Sequence, residues 1–445
     1  MVQEADMSPS PNKTKTGHHD LWRADEMDGT AEDLDWGTKD TLRPIGNFDA
    51  DYLALCRTFE VPVHPCLASR HHPKEDAMKD AVSNAERSTI ATSTGSKSSA
   101  IQLRNYVVDL TTLRLMMEAL KGSSNVDTLI FHNAGLTEAS FAVLADGLQH
   151  TTVQCLGLDY NTPRSRTTSS ALPCVTKAEA GKEPEGAVLS TCPSPGRSFP
   201  SFVREGSKLK ALSLRGNGID DIEAVALAEA VEDNTILGAL NLFDNKITDV
   251  GAAAFAATLR INTVMRGLSL ARNLLTSISA EAFGLLLAGG YEVLAPELEK
   301  RATAEEAIAA QNKIAQDAMK KKKDARLETR LPLSTVVVQN GADGVGRAIA
   351  GGNRSLAALN LAENRALGAF GAVSEFLSKI VKARKEEAEE GGGKAGAAVL
   401  QELNLSRCQE YVEQGGGEGE DPALAERAAV IAAMVIALKP TKVVV

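Results

Sequence analysis

A chain of 445 residues that is 43% hydrophobic but only 4% aromatic must build its core from aliphatic side chains, and it is long enough for one extended array or for two to three compact domains. Its formal charge of −10 argues against a nucleic-acid footprint over the chain as a whole. Its longest apolar run near the C-terminus, Ala428 to Leu438, falls well short of the roughly 20 residues that span a bilayer, so no membrane segment is expected.

Residues 1–47 are polar and acidic, with Trp22 in LWRADEMDG and Trp36 in EDLDWG. They are expected to form a disordered tail whose tryptophans suit a short partner-binding motif. No basic, apolar, cleavable leader is read there, and the six cysteines are scattered without a CxxC pair, so free thiols in a reducing cytoplasm are expected. From Phe48, FDADYLALCRTFEVPVHPCL predicts an amphipathic helix with Tyr52, Leu55, Cys56 and Phe59 on one side. Residues 48–97 are read as an N-terminal cap and linker.

Beyond the cap one pattern recurs, apolar-x-x-apolar-x-apolar-x-x-Asn. It is met at Leu209, Leu212, Leu214 and Asn217, at Leu237, Leu240, Leu242 and Asn245, and at Met265, Leu268, Leu270 and Asn273, with a step of 28 residues. Upstream it is met at Val153, Leu156, Leu158 and Asn161, at Val126, Leu129 and Phe131, and at Ile101 and Leu103, where Tyr106 takes the Asn position. Downstream come Leu356, Leu359, Leu361 and Asn364, then Leu400, Leu403 and Leu405 with Cys408 in the Asn position. Eight units are readable.

Leucines two apart lie on one face of a short strand, whereas IEAVALAEAV from Ile222 has helical spacing. A unit of one strand and one helix cannot bury its apolar face alone. Neighbours must stack into a curved α/β solenoid, a horseshoe with a parallel sheet inside and helices outside. The Asn that ends each strand is expected to turn inward and bond backbone groups, as framework rather than as a catalytic amide.

The register fails in three places. Residues 162–198, rich in Ser, Thr, Pro and Gly, read as a disordered insertion between repeats 98–161 and 199–288. Residues 289–352 contain PELEKRATAEEAIAAQNKIAQDAMKKKKDARLETR, which reads as a charged, solvent-exposed helix leaving the array, its Lys320–Lys323 run a solvated face or an acidic-partner contact. ARKEEAEEGGGKAGA from Ala383 interrupts the last region, 353–445, which holds the final repeats and a C-terminal cap opened by Asp421 and Pro422. KVVV at the end suits a last strand. All three breaks are expected to follow the strand portion of a unit and so to leave the concave face open.

Catalytic signatures are not met: the phosphate loop, the HExxH helix and the GxSxG elbow find no match in the sequence. NGADGVGRAIAGG from Asn340 has glycines but neither the spacing nor the preceding strand of a dinucleotide turn, and Cys56, His64, Cys66, His71 and His72 fit no common zinc spacing. No cofactor, metal or enzymatic activity is expected. Function then falls to the position just after the third apolar residue of each unit and the one following it, which face the concave side: Arg104, His132, Asp159 with Tyr160, Arg215, Phe243 with Asp244, Arg272, Glu363 and Arg407. Aromatics flanked by arginine are the composition of interaction hot spots. Arg215, Phe243 and Arg272 are expected to centre a patch for a protein partner.

The repeats resemble those of the ribonuclease-inhibitor type of leucine-rich-repeat protein. The capping segment YLALCRTFEVPVHPCL, the lysine-rich helical insertion and its return through GGNRSLAALNLAENRALGAFGAVSEFL together look like a group of flagellar leucine-rich-repeat proteins. That resemblance implies a non-enzymatic scaffold or adaptor in the axoneme of a motile cilium or flagellum, with axonemal partners. A small-GTPase regulator of the Ran GTPase-activating type, or a cytoplasmic adaptor unrelated to cilia, would use the same fold.

Overall fold

The computed structural model describes residues 45–68, 99–161, 199–204, 206–320, 329–340, 345–364 and 400–406, with 367, 378, 380–382, 408 and 442–444 besides. Residues 1–44 of the expected disordered tail, the 162–198 insertion, the segment from Ala383 and the helix opened by Asp421 lie outside these residues, whereas Ile45, Gly46 and Asn47, read as tail, bond to the start of the first helix.

Strands and helices alternate as the two periods in the sequence require. Strands β1 (Ser99–Arg104), β2 (Val126–His132), β3 (Cys155–Asp159), β4 (Ala211–Ser213), β5 (Ala239–Asn241) and β6 (Gly267–Ser269) line up in chain order. After β6 the chain makes β7 (Gly289–Glu292), β8 (Val336–Asn340) and β9 (Gly346–Gly351), which form a separate antiparallel sheet in the order β7-β9-β8. Strands β10 (Ala358–Asn360), β11 (Glu402–Asn404) and β12 (Lys442–Val444) then rejoin the first sheet, β10 pairing directly with β6. The result is nine parallel strands, with the KVVV segment supplying the last.

Register follows the repeat. Leu129, Leu156, Leu212, Leu240, Leu268, Leu359 and Leu403 pair across successive strands, and each is buried at 3% exposure or less. Burial of one such side chain contributes roughly 1.5–3 kcal/mol. Behind the sheet the helices Asp221–Glu232, Asp249–Thr258 and Ser277–Ala288 pack on one another in sequence, each begun by an Asp or Thr N-cap whose side chain accepts from the first turn. Among the described residues between β3 and β4 lies a 3₁₀ turn, Phe199–Phe202, whose rings meet Phe141 edge-on at 5.3 and 6.4 Å. The helix Phe48–Thr58 caps the first unit by packing on the helix Leu110–Lys121 with Phe48, Tyr52, Leu55 and Cys56 buried.

The repeated Asn is a ladder through the core. Asn217, Asn245, Asn273 and Asn364 are all under 9% exposed. Asn245 Nδ2 donates to the Leu214 and Leu242 carbonyls while its Oδ1 accepts from the Asn217 and Ile219 amides. Asn273 N donates to Asn364 Oδ1, which carries the ladder across the insertion. At the last described unit Cys408 Sγ donates to the Leu361 carbonyl from the same position.

The insertion between β6 and β10 departs from expectation in two ways. It follows the helix Ser277–Ala288, not the strand, and its own helix, Ala295–Lys320, lies against the array. Arg301 is 2% exposed and donates to the Ser334 carbonyl and hydroxyl and to the Arg260 carbonyl. Arg260 pairs with Glu297, and Lys300 with Glu232 on a repeat helix. A charged helix is held here because its cations find carboxylates and carbonyls on the convex layer. The glycine-rich stretch from Asn340 falls between antiparallel strands β8 and β9, so it does have a preceding strand but no helix follows it.

Candidate functional site on the concave sheet

Each strand ends in two consecutive positions that shape the surface. Arg104, His132 and Asp159 pair in register and begin the first row; two residues beyond the paired Ser213 and Asn241, Arg215 and Phe243 continue it, followed by Ala271, Ala362 and Ser406. The next residue, in each of the seven units where it is described, turns the chain through the left-handed region: Asn105, Asn133, Tyr160, Gly216, Asp244, Arg272 and Glu363 have φ between 49° and 63°. Their amides keep the ladder intact. Tyr160 N donates to the Arg215 carbonyl, Gly216 N to Phe243, Asp244 N to Ala271 and Arg272 N to Ala362. The conformation thus lets the backbone leave the sheet while still paired, and it brings Asn161 and its counterparts inward.

Candidate residues therefore fall into two rows, one for each of the two positions that follow the third apolar residue. Arg104, His132, Arg215 and Phe243 stand in the first; Tyr160, Asp244, Arg272 and Glu363 stand in the second. Arg407 lies outside the described residues.

Side chains of the two rows join across five units. The His132 and Tyr160 rings meet edge-on at 5.2 Å. Tyr160 lies over Gly216, where a Cβ would stand 2.3 Å from the ring, and its hydroxyl donates to Asp244 Oδ2 at 3.2 Å. Asp244 Oδ1 pairs with Arg272 Nε at 3.1 Å. In the first row the Arg215 guanidinium sits 4.7 Å from the centre of the Phe243 ring, and Asp159 Oδ1 accepts from Ser213 Oγ and from the Arg215 amide. Arg215, Phe243 and Arg272 thus belong to one surface, with Tyr160 and Asp244 as the link between the rows. Glu363 follows Arg272 along the second row, and Arg104 stands beside His132 at the other end.

Electrostatics fix protonation states. Burial, with the charges of Arg104 and Arg215, depresses the His132 pKa against the opposing pull of Asp159, so the imidazole is neutral at neutral pH. Burial and the Asp244 carboxylate raise the Tyr160 pKa, so the phenol keeps the proton that it donates. Small side chains floor the sheet beneath these groups: Ala211, Ser213, Ala239, Gly267 and Ser269. A bulky partner side chain can therefore approach the backbone.

A second set of framework amides escapes the leucine pattern. Asn234, Asn262 and Asn353 each accept from the amides two and three residues on and donate back to the preceding unit, as Asn262 does to the Val231 and Asn234 carbonyls. Their signal in the sequence is an Asn three residues before the first apolar position. Asn241, Asn360 and Asn404, between the leucines, accept from the first-row amides of Phe243, Ala362 and Ser406. Near the cap, Cys56 and His64 are spent on Tyr52 and on the Val107 carbonyl, while His71 and His72 lie outside the described residues.

Comparison with known families adds one finding: a model described as Leucine Rich repeat matches residues 207–228 and 233–256, the units that carry Arg215 and Phe243. No curated protein matches the chain. The matched repeats and the nine parallel strands in register make the molecule a leucine-rich-repeat α/β solenoid.

Proposed function

We propose that this protein is a non-enzymatic scaffold or adaptor that holds a protein partner on its concave sheet, within the axoneme of a motile cilium or flagellum. Leucine-rich repeats mediate protein–protein interaction, and the observation that carries the reading here is the joined surface of His132, Tyr160, Asp244 and Arg272 beside the Arg215–Phe243 stack. Aromatic and arginine side chains already held in place lose little entropy on binding. The ciliary assignment draws on the likeness of the cap, the lysine-rich insertion and its return to flagellar leucine-rich-repeat proteins.

The test is to express the tagged protein in a ciliated cell and extract with detergent. Retention with the axoneme, lost when Arg215, Phe243 and Arg272 are together changed to alanine, is the expected result. A fully soluble wild-type pool overturns the ciliary assignment. Retention that survives the triple change moves the partner away from this surface, and strong stimulation of GTP hydrolysis by a small GTPase would replace the scaffold reading with the regulatory one.

A further inference from the structure

The concave patch sets Arg104, Arg215 and Arg272 beside three carboxylates, Asp159, Asp244 and Glu363, in a chain that is anionic overall. Asp159 is engaged internally by Ser213 and the Arg215 amide, and Asp244 by Tyr160 and Arg272. Among the described residues no carboxylate pairs with the Arg104 or Arg215 guanidinium, and the Arg272 side chain remains 58% exposed. The surface thus offers three guanidinium groups beside the faces of Phe243 and Tyr160. The complement of such a surface is a segment that is strongly acidic and carries large aromatic side chains.

The chain contains one such segment. HDLWRADEMDGTAEDLDWGTKD, His19 to Asp40, carries eight carboxylates against Arg23 and Lys39, and it holds both tryptophans of the protein. Its connection to the array is fixed: Ile45 and Gly46 donate to the Asp51 carboxylate, and Phe48 donates to Asn125 Oδ1, just before β2. From there the patch lies about 20 Å along a strand and about 14 Å across three strand spacings. The residues from Trp22 to Ile45 can span up to about 75 Å, so the segment reaches the patch without strain. Tethering gives it an effective concentration in the millimolar range for a flexible connection.

We infer that residues 19–40 dock in cis on the concave patch, with a tryptophan on the Arg215–Phe243 stack and carboxylates on Arg104, Arg215 and Arg272. The tail then competes with the partner for the surface assigned above. The inference rests on that surface being a binding site, but on no particular partner and no cellular location.

The two tryptophans are the readout, because no other indole is present in the chain. In the full-length protein at low salt the emission is expected to be blue-shifted and the iodide quenching constant severalfold smaller than for the free peptide 19–40. Protection is expected to fall away as salt is raised, as screening of a surface ion cluster requires. Two variants separate docking from folding: Arg215→Glu with Arg272→Glu in the array, and carboxylate-to-amide changes throughout 19–40, which leave the repeats untouched. Both are expected to give the emission and quenching of the free peptide with an unchanged far-ultraviolet circular dichroism spectrum.

Indoles as exposed in the wild-type chain as in the peptide overturn the inference, as does protection that the patch variant does not remove. Protection that grows with protein concentration also overturns it, since the occupant would then be the segment of a second copy. None of these results bears on axonemal retention, so the scaffold reading stands or falls separately.

Discussion

A single asparagine per repeat does work that its neighbours cannot do for it. Asn245 closes four buried backbone groups, and alanine there leaves amides of one turn and carbonyls of the next unpaired. Asn245→Ala is expected to cost on the order of 1–3 kcal/mol in chemical denaturation, whereas Lys246→Ala, one residue on and exposed, should stay within about 0.5 kcal/mol. This inward Asn was legible because a polar residue at a fixed step inside an apolar pattern has few roles. The left-handed row before it was not: of its seven described residues Gly216, Asn105, Asn133 and Asp244 suit positive φ, whereas Tyr160, Arg272 and Glu363 carry no such mark. Gly216→Ala tests the row directly, since it meets both an unfavourable φ and the Tyr160 ring. Its cost should exceed about 1 kcal/mol and shrink in a Tyr160→Ala background, a coupling that a double-mutant cycle in urea would measure.

At the level of the helix and strand, the alternation of elements could be read from the 2.0 and 3.6 periods, and the structure adds the N-caps Asp220, Thr248 and Thr276. What could not be read is how one helix start is tied to the next. Asp221 accepts from the Thr248 amide and hydroxyl and from the Gly251 amide; Asp249 repeats the arrangement with Thr276 and Ser279. These bonds join residues 27 to 30 apart in sequence, beyond the range of any local pattern. Partial burial alone would raise the Asp249 pKa, but the bonds from Ser279 and Thr276 outweigh it and hold the carboxyl below its usual range. A depressed carboxyl pKa gives stability that is present above the unfolded value, near 3.8, and is lost as pH falls through the lower folded value. Asp249→Asn should therefore destabilise the array at neutral pH, and the gap to wild type should close as unfolding is measured progressively below pH 4.

For the molecule as a whole, the solenoid was the most legible feature, because the 28-residue step repeats one short-range pattern until only a stacked array satisfies it. The insertion 289–352 was the least legible, and the reason lies in how its helix is buried. Arg301, Ile308 and Ala315 are its only residues buried below 9%. They stand seven apart, a stripe one residue wide that a hydrophobic pattern cannot register when its first member is arginine. The sheet itself does not need the insertion, since β6 pairs with β10 and Asn273 with Asn364 as though the intervening residues were absent. Repeat arrays are stabilised through nearest-neighbour contacts, so the two parts should open independently. Arg301→Ala removes the donor to the Ser334 carbonyl and hydroxyl and to the Arg260 carbonyl and leaves those neutral groups buried, a loss on the order of 1–3 kcal/mol. Hydrogen exchange should then accelerate through 295–320 and β7–β9, while amides of β4, β5 and β6 keep their wild-type protection. Loss of protection in β6 and β10 together would instead make the insertion part of the array's cooperative unit.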